Sequence, residues 1–203
     1  MNNTNIISKP SLRNVRTITI IAVLSAISFV LAFIEFPVPL SPSFARMDLS
    51  DLPALIGAFA YGPLSGLCIE LVKNVLQLFT TSTGGIGELA NFIMGASFVV
   101  VAGSIYQFHK TKKMALLACL AGSVIMGVAA AVVNYYILLP LFESFMPLDQ
   151  LIASFEEFIP FIHSKLDIVI YNAFPFNLLK GIVISIVTFI LYKRLTPVLK
   201  GNQ

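Results

Sequence analysis

The chain has 203 residues, of which 57% are hydrophobic and only 11% charged, with a formal net charge of +3 and a mean hydropathy of +0.89. Soluble domains carry about 25% charged residues, so this composition excludes an ordinary soluble domain and points to an all-α integral membrane protein. The length accommodates about six spans with short loops in a single membrane domain over residues 1–203, and no G-x-x-x-x-G-K-[ST] phosphate loop occurs, so the chain is not expected to hydrolyse ATP itself.

The first dozen residues are polar, and no A-x-A-like cleavage site follows the first apolar run, which is therefore expected to stay as a helix over 15–36. Ala22 and Ala26 lie four apart on that helix, so they stack on one face and allow another helix to approach closely. That close approach serves either packing inside the protein or a partner surface. Residues 37–50 hold Pro37, Pro39 and Pro42, followed by Phe44, Ala45, Arg46, Met47 and Asp48. Three prolines remove three backbone donors and stiffen the segment, which reads as a lid over the bundle or as an ordered outer loop.

Asp51-Leu-Pro53 has the form of a helix start, an acidic cap followed by proline in the first turn. A short helix is expected over 51–61, a turn at Gly62-Pro63, and a returning helix over 63–79. Glu70, Lys73, Asn74 and Gln77 form one polar stripe on the latter, and Glu70 and Lys73 are spaced for an (i, i+3) pair. After the Thr/Ser/Gly loop 80–87 come spans over 88–108 and 114–141, the second closed by Pro140. The outer loop 142–167 is acidic and is expected to hold a short amphipathic helix. The last span, 168–195, carries Asn177 and Lys180 inside an apolar run. A central lysine in lipid costs roughly 2.5–3.5 kcal/mol on insertion scales, so such a group marks a functional site. Cys68 and Cys119 lie far apart in sequence without further cysteine or histidine at ligand spacing and read as packing residues.

Of the thirteen basic residues, Lys9, Arg13, Arg16, Lys110, Lys112, Lys113, Lys193, Arg194 and Lys200 all fall on one side of a six-span chain. By the positive-inside rule both termini are cytoplasmic. Counted at 1.5 Å per residue, Asn134, Asn177, Lys180, Asn91 and Gln77 then lie in the outer half of the bundle, beneath 37–50. Phe44, Phe92, Tyr135, Phe174 and Phe176 lie at similar depth. Apolar walls with a few hydrogen-bonding groups make a small-molecule site. The residue types suit a flat heterocycle with a polyol tail, entering from outside.

The chain resembles the riboflavin-specific S components, of the RibU type, of energy-coupling factor (ECF) transporters. The resemblance runs over nearly the whole length. It is carried by Phe36-Pro37-x-Pro39, Asp48-x-Ser50-Asp51-x-Pro53, Tyr61-Gly62-Pro63, Val72-Lys73-Asn74, Ala90-Asn91-Phe92-x-x-Gly95-Ala96-Ser97, Asn134-Tyr135 and Pro175-Phe176-Asn177-x-x-Lys180-Gly181. Ala22 and Ala26 match the AxxxA motif of S-component first helices. The resemblance implies the six-helix S-component fold, with riboflavin as transported ligand and no cofactor. Its partners would be a transmembrane T component coupled to two ATPase subunits, within the lipid bilayer and without nucleic acid. Asn134, Asn177 and Lys180 would bind the ribityl hydroxyls or polar ring edge. Phe44, Ala45, Arg46 and Met47 would line the isoalloxazine ring, together with Gly87 and Thr81, and Ala22/Ala26 would meet the T component. Arg46 stands where a small polar residue is expected in the lid. It either snorkels to the surface or reaches a phosphate, which would extend the ligand range to flavin mononucleotide.

Two other readings weigh against this one. S components for other vitamins share the architecture, and Asn134 with the Asn177/Lys180 pair favours a flavin among them. A membrane enzyme is the other class. Glu156-Glu157 with His163 is similar to the paired glutamates of CAAX-type intramembrane proteases, but Phe161 occupies the position that wants arginine. The other histidine, His109, falls in a cytoplasmic loop, and Asp48 and Asp51 do not sit on two facing spans as an aspartic dyad requires.

Overall fold

The computed structural model describes residues 15–37, 46–81 and 83–200, with side chains as far as Leu191 except that of Arg46. Phe44 and Ala45, the Arg46 side chain, and the orientation-setting Lys9, Arg13, Lys193, Arg194 and Lys200 lie outside the described residues or side chains. Within those bounds the protein is mostly helical: α1 (Val15–Leu31), α2 (Asp51–Tyr61), α3 (Pro63–Gln77), α4 (Ile86–Phe108), α5 (Lys112–Val133), α6 (Leu139–Glu143), α7 (Leu148–Glu156), α8 (Lys165–Ile168) and α9 (Phe174–Lys200). The two-residue strands β1 (Phe36–Pro37) and β2 (Arg46–Met47) pair antiparallel, Phe36 opposite Met47.

Three helical stretches are long and apolar enough to cross a membrane, Ile86–Phe108, Lys112–Glu143 and Lys165–Leu191. The first helix ends at Leu31 rather than at 36. Pro37 disfavours helical geometry at the residue before it, and Phe36 is already extended in β1. The fifth helix does not close at Pro140. It runs on through a π-helical turn at Asn134–Leu138 into α6. A second π-helical turn, Val169–Ala173, joins α8 to α9 just before Pro175. The cause is common to both. Proline lacks the N–H that would bond the carbonyl four residues back, and its ring crowds that carbonyl; the wider turn removes the clash without breaking the helix. The expected loop 142–167 holds the amphipathic α7 and the short α8, the latter capped by the Ser164 hydroxyl accepting from the Asp167 N–H.

Small residues set the helix spacing. Gly62, at φ 103° in the turn between α2 and α3, abuts Gln107 at the end of α4. A Cβ at Gly66 would lie 2.7 Å from that of Ala58, and one at Gly181 would meet Ser123 at 2.7 Å, so α2 and α3, and likewise α5 and α9, pack at backbone distance. The main core joins Leu55 and Ala58 of α2, Ile69 of α3, Phe98 and Val99 of α4, Met126 of α5 and Ile184 of α9. A second cluster of Leu139, Leu151, Phe155, Ile162, Ile168 and Val169 folds α7 and the segment after it onto the ends of the π-turn helices. On α1 the buried face is polar and small, with Thr17, Ser25 and Ser28, while Ala22 and Ala26 are exposed. Packing among the described residues therefore does not use the alanine pair.

Candidate functional site

The two π-helical turns face one cavity of about 350 Å³. Asn134 and Leu138 come from the first turn, and Asn172 and Ala173 from the second. Phe176, Asn177 and Lys180 follow on α9, Gly87, Asn91 and Met94 on α4, and Thr83 on the loop before it. Glu35 and Asp48 contribute from either side of the β1/β2 pair, and Phe142 and Phe155 from the segment after α5. The volume falls in the range of about 300–1,000 Å³ typical of small-molecule sites. A π turn shifts the angular register of the helix after it, so residues that a regular helix would spread around its circumference gather on one wall.

The asparagines are oriented by the backbone. Asn134 Nδ2 donates to the Ala130 carbonyl at 2.8 Å and Asn177 Nδ2 to the Ala173 carbonyl at 3.0 Å. A carbonyl can only accept, so the amide nitrogen is the atom held in each case, and the Oδ1 remains as an acceptor for a further partner. Hydroxyl and imide N–H groups are the complementary ligand chemistry.

Lys180, 5% exposed, reaches the cavity wall with its ammonium 3.1 Å from Asp51 Oδ2 and 3.3 Å from Asp48 Oδ2. Asp51 is fully buried and also takes Lys73 Nζ at 2.6 Å on Oδ1. Lys73 completes the chain of charges with Glu70 Oε2 at 2.6 Å and the Ser50 hydroxyl at 3.1 Å. The anticipated Glu70/Lys73 pair is present, but as one limb of a five-member cluster. Asp51 does not cap α2. Ser50 occupies the cap position without a side-chain capping bond, its hydroxyl accepting from Lys73 instead, and the Asp51 carboxylate is taken by the two lysines. The Ser28 hydroxyl donates to the Ser50 carbonyl and ties α1 to the same point.

Of the residues expected at the site, Asn134, Asn177, Lys180 and Gly87 line the cavity, whereas Met47 and Thr81 do not. Met47, on β2 opposite Phe36, is buried, 2% exposed. The Thr81 hydroxyl donates to Glu88 at 2.9 Å and shapes the loop that presents Thr83 and Gly87. Phe176 lines the wall, while Phe174 packs against Gly127 and Tyr135 stacks edge-on with Tyr136. Asp48, Asn172, Phe142 and Phe155 were not anticipated. The Asp48-x-Ser50-Asp51 run was visible in the sequence, but its partner on α9 is 132 residues away.

A family profile described as "ECF transporter, substrate-specific component" matches residues 16–192. The chain belongs to that family, the substrate-specific components of ECF transporters. Among relatives, it is 37% identical to "Riboflavin transporter RibU" of Staphylococcus aureus (strain TCH60), over 93% of this chain and 94% of the relative. It is 32% identical to "Riboflavin transporter FmnP" of Bacillus subtilis (strain 168), covering 90% and 93%. A solved structure described as "Structure and mechanism of the S component of a bacterial ECF transporter" superposes with a TM-score of 0.74 at 35% identity, covering 92% of this chain and 98% of that one.

Proposed function

We propose that this chain is the riboflavin-capture subunit of an ECF-type uptake transporter in a bacterial cell membrane. The observation that carries the proposal is the cavity between the two π turns. Asn134 and Asn177 present acceptors there, Lys180 a held cation, and Phe176, Phe142 and Phe155 apolar surface, in a chain whose relatives bear the name of riboflavin transporters. The asparagine acceptors suit ribityl hydroxyls or the imide N–H, a remaining Lys180 N–H suits a ring carbonyl, and Phe176 offers a face to the isoalloxazine.

In this reading the chain crosses the membrane six times, with both termini cytoplasmic and the cavity open to the outside. The turn at Gly62-Pro63 packs beside Gln107 at the end of α4 that precedes the basic loop, which supports α2 and α3 as a descending and returning pair. At 11 and 15 residues these two helices span about 16 and 22 Å, short of a ~30 Å hydrocarbon core. α2 is buried among α1, α3, α4 and α9, which suits its length, whereas α3 keeps an exposed apolar face with Leu64, Leu71 and Val75. The exposed Ala22/Ala26 face of α1 docks on the T component, and the two ATPase subunits of the assembly supply the hydrolysis.

An absorption and fluorescence titration of the purified, detergent-solubilised protein tests the ligand. Flavin absorption retained through purification, or quenching of added riboflavin at a one-to-one end point, is the expected outcome. A colourless protein that does not quench riboflavin but binds another vitamin refutes the assignment while leaving the family intact.

A further inference from the structure

Thr83 and Gly87 line the cavity, and both belong to a hydrogen-bonded loop whose hub lies outside it. The run Thr81-x-Thr83-Gly84-Gly85-x-Gly87-Glu88 leads into the first turn of α4. Gly84 and Gly85 take left-handed backbone, at φ 64° and 91°. Glycine adopts it without steric cost but loses more conformational freedom on ordering than any other residue. A loop built on two of them has to be held by other groups.

Two hydroxyls hold it. Thr81 Oγ1 accepts the Thr83 N–H at 3.2 Å and the Gly85 N–H at 3.0 Å, and Thr83 Oγ1 accepts the Gly87 N–H at 3.0 Å. Gly87 lies in the first turn of α4, where backbone N–H groups have no partner inside the helix. It also has to be bare, because a Cβ there would lie 2.7 Å from Thr83 Oγ1. A hydroxyl that accepts in this way has one hydrogen left to donate. Both hydrogens go to the same atom. Thr81 Oγ1 lies 2.9 Å and Thr83 Oγ1 3.1 Å from Glu88 Oε2, closer than the 3.4 Å between the two hydroxyls. Hydrogen bonds to a carboxylate are about twice as strong as neutral ones. Glu88 does not itself line the cavity; it borders a separate groove with Leu78, Leu89 and Phe92.

We propose that Glu88 is a positioning residue for the ligand, a role that rests on reading the cavity as the riboflavin site. Its carboxylate, carried on a long helix, aims both threonine hydroxyls and through them sets the conformation of residues 83–87 that forms this wall. The polarity of the wall follows. With its hydrogen given to Glu88 and one lone pair to Gly87, Thr83 offers a ligand its other lone pair and its methyl group, and no donor. The loop side of the cavity thus receives ligand hydroxyls, N–H groups or apolar edges, in keeping with the acceptor oxygens of Asn134 and Asn177.

The experiment compares wild-type protein, E88A and E88Q in detergent. Glu88→Ala removes the acceptor, whereas Glu88→Gln keeps an oxygen that can take both hydroxyls and removes only the charge. Amide hydrogen exchange is followed by peptide in the unliganded protein, and riboflavin affinity by fluorescence quenching. In E88A, exchange is expected to quicken in peptides covering 83–89 and to stay unchanged in the rest of α4 and in α5 and α9. The riboflavin Kd is expected to rise roughly tenfold, the size of one lost hydrogen bond, and E88Q to restore both readouts. Thr83→Val gives the same pattern, adds less to E88A than its separate effect, and carries the test if E88A does not fold.

Unchanged exchange at 83–89 in E88A overturns the hold on the loop, and faster exchange with an unchanged Kd overturns the positioning role. Faster exchange throughout the chain shows a role in stability alone and overturns it too. An E88Q as impaired as E88A shows that charge at the helix start is what acts, and overturns the hydrogen-bond argument. Wild-type protein that does not quench riboflavin refutes the ligand reading instead, and the exchange comparison then decides on Glu88 by itself.

Discussion

Asp51→Asn is the perturbation the structure speaks to most directly. The side chain is fully buried, with one lysine on each oxygen, at 2.6 Å and 3.1 Å. Asparagine fits the same volume but brings no charge and only one acceptor oxygen. The substitution leaves Lys73 with Glu70 Oε2 at 2.6 Å as its one remaining anion among the described residues, and leaves Lys180 with Asp48 at 3.3 Å. Removing one partner of a buried ion pair costs about 3–5 kcal/mol, and each kcal/mol moves the midpoint of a 150–250-residue protein by about 2–4 °C. A fall of roughly 6–20 °C is therefore expected, measured as thermal unfolding in detergent by tyrosine fluorescence and by the loss of the monodisperse peak. Lys73→Met in the same chain removes the cation that lost its Asp51 partner, so the double variant should be less destabilised than the sum of the two single ones. A D51N midpoint within about 2 °C of wild type, or additive single and double effects, refutes the argument that Asp51 anchors both lysines.

Lys180→Ala should weaken riboflavin binding by about 1.5–3 kcal/mol, the contribution of a hydrogen bond to a charged group, or roughly 10- to 150-fold in Kd. Its effect on stability should be smaller than that of D51N, because Asp51 keeps Lys73 and Asp48 borders the cavity; unchanged affinity by fluorescence titration removes Lys180 from the site. Ala22→Trp or Ala26→Trp should abolish riboflavin uptake by cells carrying the whole transporter while leaving binding by the isolated subunit intact, since both positions are exposed and outside the cavity. Retained uptake refutes the docking face. Gly95→Ala places a Cβ 2.6 Å from Glu70 Oε2 and 3.3 Å from Asp51 Oδ1; overpacking of this kind costs about 1–3 kcal/mol, read as a lower thermal midpoint, and an unchanged midpoint shows that the cluster has room to spare.

The class of protein and several site residues were legible in the sequence because they depend on local chemistry. Hydropathy marks the apolar helices, and a lysine in the middle of one is conspicuous at any register. Lys180 and Asn177 are therefore visible without coordinates. The Gly62-Pro63 turn is likewise local, as is the (i, i+3) pair of Glu70 with Lys73. What could not be read was angular register and long-range partnership. Pro140 reads as a helix end because proline ordinarily breaks the hydrogen-bond ladder, yet a π turn absorbs the missing donor and carries the helix on.

That same turn decides which residues of α5 face the cavity, putting Asn134 on the wall and Tyr135 off it. Asp51 reads as a helix cap because an acid before Leu-Pro usually is one. Only the approach of α3 and α9 turns its carboxylate into the counter-ion of two lysines, one 22 residues away and the other 129. Composition and periodicity thus determine that the chain enters the membrane and where its expensive polar groups lie. Tertiary packing decides which of those groups neutralise one another and which remain for a ligand, because charge pairing in a dry interior depends on distances between helices that no local pattern encodes.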